Sequence, residues 1–72
     1  MTPEEMYFAV FCIESVADHL GLNGAEVYQK LSIDSDLLDT YIVEHYDALH
    51  TQGKEYIVND IVEIMKKEGL VQ

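Results

Sequence analysis

The stretch YDALHTQGKEYIV, residues 46–58, places one histidine, two acids and two tyrosines, side chains whose types could do chemistry, within thirteen residues. They are Tyr46, Asp47, His50, Glu55 and Tyr56, and together we call them the polar corner. His50 follows Asp47 by three residues, and an Asp–His pair on one helical face orients an imidazole for proton transfer or metal ligation. One hypothesis is therefore a small ligand-binding protein or enzyme subunit with a polar site around Asp47, His50, Glu55 and Tyr56.

The same stretch has a structural explanation, in which it joins two helices. A histidine in the last turn of a helix is stabilised by the helix dipole, and Gly53 is expected to supply the left-handed residue that ends this helix. The side chains expected inside are Leu49, Tyr56 and Ile57, and those expected at the surface are His50 and Glu55. This explanation is favoured, because the pair has no nucleophile or third ligand beside it and so short a chain scarcely encloses a pocket of ~300 Å³.

The other reactive side chains have structural explanations too. Cys12 lies in the apolar run MYFAVFCI, where burial would raise the pKa of its thiol and make it a poor nucleophile. His45 falls on an apolar helix face as a half-buried packing residue with one hydrogen bond, and His19 lies at a helix end. The acids of DSDLLD, residues 34–39, lack the glycine and the final glutamate of a calcium loop. We therefore predict no catalytic residue, cofactor or metal site.

The charge balance restricts the kind of partner. Fourteen acids stand against four lysines and no arginine, for a net charge of −10. Phosphate backbones and anionic membrane surfaces would repel such a chain, whereas a basic protein partner would be attracted. The alternative is that the acidity only keeps the protein in solution. MYFAVFCI is too short to span a membrane and follows Glu4 and Glu5 rather than positive charge, so we expect a cytoplasmic protein.

The length of 72 residues predicts one helical domain, residues 1–72, with a small core and marginal stability. Small chains commonly gain stability from a disulfide, a metal or another polypeptide. The single cysteine excludes a disulfide within the chain. A homodimer or a complex with a second protein is therefore expected.

The first helix is predicted from TPEE, where Thr2 caps, Pro3 takes the first turn and Glu5 completes a capping box; Gly21 ends the helix. Its apolar residues form two stripes. One stripe is Met6, Val10, Ile13, Val16, Ala17 and Leu20, and the other is Tyr7, Phe8, Phe11 and Cys12. Two stripes indicate either a central helix covered on most sides or a helix with one side offered to a partner.

Three further helices follow from caps and spacing. The second is capped by Asn23 with Glu26 and runs from Gly24 to about Leu31. Its predicted inward residues are Val27, Tyr28 and Leu31. The third is capped by Asp34 or Ser35 and runs to about Thr51. Its predicted apolar face is Leu38, Tyr41, Ile42, His45, Tyr46 and Leu49. The fourth has Tyr56, Ile57, Ile61, Ile64 and Met65 on its face, Lys66 and Lys67 at its negative end, and Gly69 as its terminator. The predicted fold is an all-α, compact bundle of three to four short helices.

Three segments, FCIE, GAEVYQKL and YDALHTQGKEYIVNDI, occur in this order. Because of these segments and their order, the chain resembles a family of small bacterial proteins catalogued as domain of unknown function 3791. The resemblance extends over about Tyr7 to Gly69. The resemblance implies short, acidic, helical proteins with no established activity. It also implies a genomic neighbour from a second small family, whose fold is thought to be similar to ADP-ribosyltransferase toxins, and hence a paired system.

The leading hypothesis is a non-enzymatic protein–protein interaction module, in its specific form the antitoxin- or immunity-like partner of that neighbour. The five tyrosines fit either the edge of a core or such an interface. Nucleic-acid binding is the weakest hypothesis. LNGAEVYQKL followed by another helix has the spacing of a helix-turn-helix. A recognition helix without arginine in a chain of net charge −10 is poorly suited to contact DNA.

Overall fold

The computed structural model describes all 72 residues and confirms an all-α fold without strands. The elements in chain order are α1 (Pro3–Leu20), α2 (Gly24–Tyr28), the π-helical segment π1 (Gln29–Ile33), the π-helical segment π2 (Leu38–Val43), α3 (Tyr46–Leu49) and α4 (Lys54–Lys67). α1 packs against α2, π2 and α4. The long helix α1 is therefore the element around which the others assemble.

The predicted beginnings of α1 and α2 are confirmed. The Glu5 N–H donates to the Thr2 hydroxyl over 3.1 Å, and the Thr2 N–H donates back to the Glu5 carboxylate over 2.8 Å. Asn23 and Glu26 form the same reciprocal pair, over 2.8 and 3.2 Å. These bonds satisfy amide groups that the first turn of a helix leaves without partners. Gly21 ends α1 in the left-handed conformation, at φ 70°.

The predicted third helix is wrong in its form. Instead of one helix to Thr51, the chain has π2, a turn at Glu44 and His45, and the single-turn α3. His45 has φ −102° and ψ 23°, which interrupts the helix. The residues of π2 include Thr40, Ile42 and Val43, whose branched side chains weaken an α-helix. The Thr40 hydroxyl also donates to the Asp36 carbonyl over 2.7 Å, which accepts the Thr40 N–H as well, over 2.8 Å. Such bonding of a side chain back to the preceding turn slightly destabilises an α-helix.

The core is a cluster of 13 buried residues drawn from every element except α3. They are Ala9, Cys12, Val16, Ala17, Val27, Leu31, Leu38, Ile42, Ile57, Val58, Ile61, Val62 and Met65. On α1 they are Val16 and Ala17 from the first predicted stripe, Cys12 from the second, and Ala9 from neither. The rest of each stripe lies outside this buried cluster. Two residues predicted to point inward, Tyr28 and Tyr56, are instead 48% and 57% exposed. The phenol is amphipathic, so a tyrosine at the edge of an apolar stripe is readily left in solvent.

Gly53 was predicted to be left-handed, and this is wrong. It has φ −72° and ψ 158° and is the N-cap of α4. The left-handed glycines are Gly21 and Gly69, which were predicted to end the first and the fourth helix. Glycine suits both a helix C-terminus and an N-cap, so the sequence did not distinguish these roles.

We expect Gly21→Ala to lower the free energy of unfolding by about 1–2 kcal/mol, the cost of a left-handed alanine. A methyl group there meets no atom within 4 Å, so backbone strain alone is measured. Gly53→Ala is the control, since that site is also open and its φ is allowed for alanine. Its loss should be smaller, because it reflects only the preference of an N-cap for glycine over alanine. Urea unfolding compares the two variants. Equal losses would contradict the assignment of Gly21 as the left-handed cap.

Tyr41 ties π2 to α4, because its hydroxyl donates a hydrogen bond to the Asp60 carboxylate. Desolvation by burial, this hydrogen bond and the charge of Asp60 raise the pKa of Tyr41 to about 12. The neutral phenol is thus favoured in the folded chain. Its contribution to stability is complete below pH 10.0, the ordinary pKa of a tyrosine phenol, and is lost as the pH rises through about 12.

We expect Tyr41→Phe to lower the free energy of unfolding by about 1 kcal/mol at neutral pH, the net value of one hydrogen bond. It should also make the loss of stability above about pH 10 shallower. Tyr28→Phe is the control, because the exposed Tyr28 hydroxyl makes no hydrogen bond within the chain. Urea unfolding at neutral and alkaline pH measures both effects. An unchanged alkaline slope in Tyr41→Phe would contradict the role of Tyr41.

Candidate functional site

The most unusual surface of the molecule is on the N-terminal half of α1. Met6, Tyr7, Val10 and Phe11 are 55%, 77%, 51% and 40% exposed, and we call these four residues the apolar face. Their spacing places them side by side on one flank of the helix, and Ala9 and Cys12 are buried on the other. The sequence predicted either a helix covered on most sides or a helix with one side offered to a partner. In the structure, one side of α1 is left uncovered.

A row of rings connects the apolar face to the polar corner. The Phe11 and Phe8 rings stack with centroids 6.3 Å apart, and Phe8 meets the edge of Tyr46 at 5.4 Å. Tyr46 stacks on the His50 imidazole at 4.3 Å, with the planes 5° apart. We call Phe11, Phe8, Tyr46 and His50 the aromatic row. It links α1 to α3, so the two regions singled out in the sequence belong to one continuous surface.

The polar corner is only partly assembled. His50 is exposed, and its Nδ1–H donates to the Tyr46 carbonyl over 2.7 Å rather than to Asp47. Asp47 is exposed and makes no hydrogen bond or ion pair. Glu55 is at the surface, as predicted, but Tyr56 is exposed rather than packed inward. Tyr46 and His50 are thus the members that the structure brings into contact.

Glu55 lies instead on a groove of about 470 Å³ between α1 and α4. The groove is lined by Ser15, Asp18, His19, Lys54, Glu55, Val58 and Asn59. Little in the sequence indicated this groove. The polar Ser15, in the wall of the groove, is buried at 7% exposure. Lysine, histidine and carboxylates meet here without forming an ion pair.

Two further reactive side chains that the sequence singled out are Cys12 and His45. Cys12 is fully buried, and desolvation raises the pKa of its thiol to about 12, as the sequence predicted in direction. A thiol with this pKa stays protonated and is a weak nucleophile. His45 was expected to be half-buried but is exposed. The single hydrogen bond of its imidazole runs from Nδ1–H to the Tyr41 carbonyl, over 2.9 Å.

The acidic surface is almost entirely unneutralised. One ion pair is present, between Lys67 Nζ and Glu63 at 3.4 Å. The remaining acids have no basic partner within the chain, and α1 contains no lysine. The Glu14 carboxylate lies close to Gly24 at the start of α2. α1 therefore presents the apolar face together with acidic side chains and no lysine.

A family model described as "Protein of unknown function (DUF3791)" matches residues 7–68. The chain belongs to the DUF3791 family. The match confirms the family predicted from the sequence, and it covers the aromatic row, the polar corner and all of the apolar face except Met6. No curated protein and no solved structure matches the chain. In this DUF3791 chain, no helix is long and apolar enough to cross a membrane.

Proposed function

We propose that this protein is a non-enzymatic protein–protein interaction module. In its specific form, it is the antitoxin- or immunity-like partner of an ADP-ribosyltransferase-like protein encoded beside it, and it acts in the cytoplasm. The observation that supports this best is the apolar face, Met6, Tyr7, Val10 and Phe11, exposed together on α1.

The apolar face is difficult to explain by folding alone. The buried strip of α1 already supplies the core with Ala9, Cys12, Val16 and Ala17. Further apolar side chains in water add nothing to that core, and contiguous exposed apolar groups typically mark a site of interaction. Two of the four are aromatic, and aromatic side chains provide much of the binding energy at protein interfaces.

The chemistry of the remaining groups also supports binding rather than catalysis. His45 and His50 each use Nδ1–H to bond a backbone carbonyl of the preceding turn, so each imidazole is oriented by its own helix rather than by a carboxylate. Asp47 makes no contact with His50 of the kind that a proton-transfer pair requires. The net charge of −10 favours a basic partner over a nucleic acid.

Co-expression with the adjacent ADP-ribosyltransferase-like protein tests the proposal. We expect the two chains to purify together as one species in size exclusion with light scattering, and the toxicity of the neighbour to fall when this chain is present. If the neighbour is harmful alone, and this chain neither purifies with it nor protects against it, the antitoxin-like function is wrong.

A further inference from the structure

We propose that the partner contacts this protein through a cationic amphipathic helix laid along α1, with apolar residues at its centre and Lys or Arg at both ends. This inference rests on the proposed function, because it assumes that the apolar face binds a protein. It goes further in stating which kind of segment the partner must present and which charges it must have.

The order of residues along α1 supports such a partner. Glu4 lies at the N-terminal end of the exposed flank, then comes the apolar face, and Glu14 and Asp18 follow at the C-terminal end. All three carboxylates are exposed. At 1.5 Å per residue, Glu4 to Asp18 spans about 21 Å, or four helical turns. An apolar centre between two acidic ends is the complement of a helix with an apolar centre and two basic ends.

None of these three acids forms an ion pair within the chain. Glu14 lies beside Gly24 at the start of α2, and Asp18 lines the groove that also contains Lys54. The chain's ion pair, Lys67 with Glu63, is on α4. The four lysines are Lys30, Lys54, Lys66 and Lys67, all outside α1. Like-charge repulsion among the acids is relieved when a basic segment binds, which speeds association and selects the partner.

A second copy of this chain is a poor partner for the apolar face, because the acids at both ends of one face would meet the acids of the other. If two α1 helices paired through their apolar faces in antiparallel fashion, Glu4 of each would approach the Glu14 end of the other. In a parallel pair, each acid would face its own copy. Either arrangement sets carboxylate against carboxylate in an assembly that already has a net charge of −10 per chain.

The apolar face is suited to bind a helix rather than an extended peptide. The apolar face is a ridge of side chains on one helix, and the chain has no strand to which an extended peptide could add. Side chains at i, i+3 and i+4 pack against a second helix in the ridge-into-groove manner. A helix of about four turns matches the distance between the acidic ends.

Two synthetic helical peptides of about 18 residues test this inference with the full 72-residue protein. Both have leucines on one face of the central turns, and the first and last turns carry lysine in one peptide and glutamate in the other. Calorimetry should show that the lysine peptide binds at least about tenfold more tightly than the glutamate peptide, and that its affinity falls as NaCl is raised. Tyr7→Ser with Phe11→Ser should reduce this affinity about tenfold or more.

Charge variants then separate docking at α1 from attraction to the whole acidic chain. Glu14→Gln with Asp18→Asn should weaken binding of the lysine peptide more than Glu44→Gln with Glu68→Gln, which removes the same charge from exposed sites outside α1. Equal effects of these two pairs, an unchanged affinity in the serine variant, or equal binding of both peptides would overturn the inference.

The two proposals fail in different ways. If the neighbouring protein binds through the apolar face but the lysine peptide does not, the inference about a cationic helix is wrong and the interaction function stands. If the peptide docks on α1 as expected but the neighbour does not bind, the docking chemistry stands and the antitoxin-like function is wrong. Dimerisation that is abolished by the serine variant would instead assign the face to a second copy.

Discussion

The double substitution Tyr7→Ser with Phe11→Ser is expected to weaken the complex with the adjacent ADP-ribosyltransferase-like protein about a hundredfold or more. Exposed aromatic residues at the centre of an interface commonly contribute about 2 kcal/mol or more each when truncated, and a hundredfold change corresponds to about 2.7 kcal/mol. Both side chains are on the apolar face, at 77% and 40% exposure. Calorimetry or surface plasmon resonance measures the dissociation constant.

The same substitution should leave the fold intact, because neither side chain belongs to the buried core. We expect the free energy of unfolding to fall by about 1 kcal/mol, chiefly because Phe11 loses its stacking on Phe8. The control is Tyr28→Ser with Ile33→Ser, which removes one tyrosine and one large apolar residue from exposed positions outside α1. If both double variants weaken the complex equally, or neither does, the apolar face is not the binding surface.

Leu31→Ala is expected to have the largest effect on stability, lowering the free energy of unfolding by about 2–5 kcal/mol. Leu31 lies in π1 with 0% of its surface exposed, and it belongs to the central core cluster. Truncation removes apolar burial and leaves a cavity that the small core can only partly close. A domain of this size has little stability to spare, so the variant should be largely unfolded in mild urea.

The chain provides a matched control two residues away. Ile33 is in the same π-helical segment but is 70% exposed, so Ile33→Ala should change the free energy of unfolding by about 0.5 kcal/mol or less. Urea unfolding followed by circular dichroism compares the pair. Similar losses from both alanine variants would contradict the orientation of π1 toward the core.

The parts of the fold that were predictable depend on local interactions. Thr2 with Glu5, and Asn23 with Glu26, are partners three residues apart whose hydrogen bonds need no tertiary contact. The lysine-rich end of α4 likewise follows from its own sequence. Such features are set by neighbours along the chain, so the sequence suffices to place them.

The parts that were missed depend on packing. Tyr56 and Ile57 are adjacent, and either fits an apolar stripe on α4, yet only Ile57 is buried. The choice between them depends on the angle at which α4 lies on α1. The π-helical segments are a second case, because π-helices are rare and no spacing in residues 29–43 distinguishes them from an α-helix.

The candidate site was predicted in part. The two apolar stripes of α1 left open whether the helix is covered on most sides or has a free side. They also did not show which residues are free, because Phe8 and Phe11 belong to the same predicted stripe. Phe8 is half-buried against Tyr46, whereas Phe11 is exposed. The polar corner was a candidate site because of its residue types alone. In the structure, Tyr46 contacts Phe8 of α1 and stacks on His50, which connects the corner to α1.

A heteronuclear NMR titration of the labelled chain with the adjacent ADP-ribosyltransferase-like protein tests most directly whether the apolar face is the binding surface. We predict that the backbone amides most strongly perturbed on binding are those of residues 6–11, with smaller changes at Tyr46 and none at Tyr28 or Ile33. An absence of binding, or perturbations centred on Asp18, Glu55 and Asn59 in the groove between α1 and α4, would contradict this prediction.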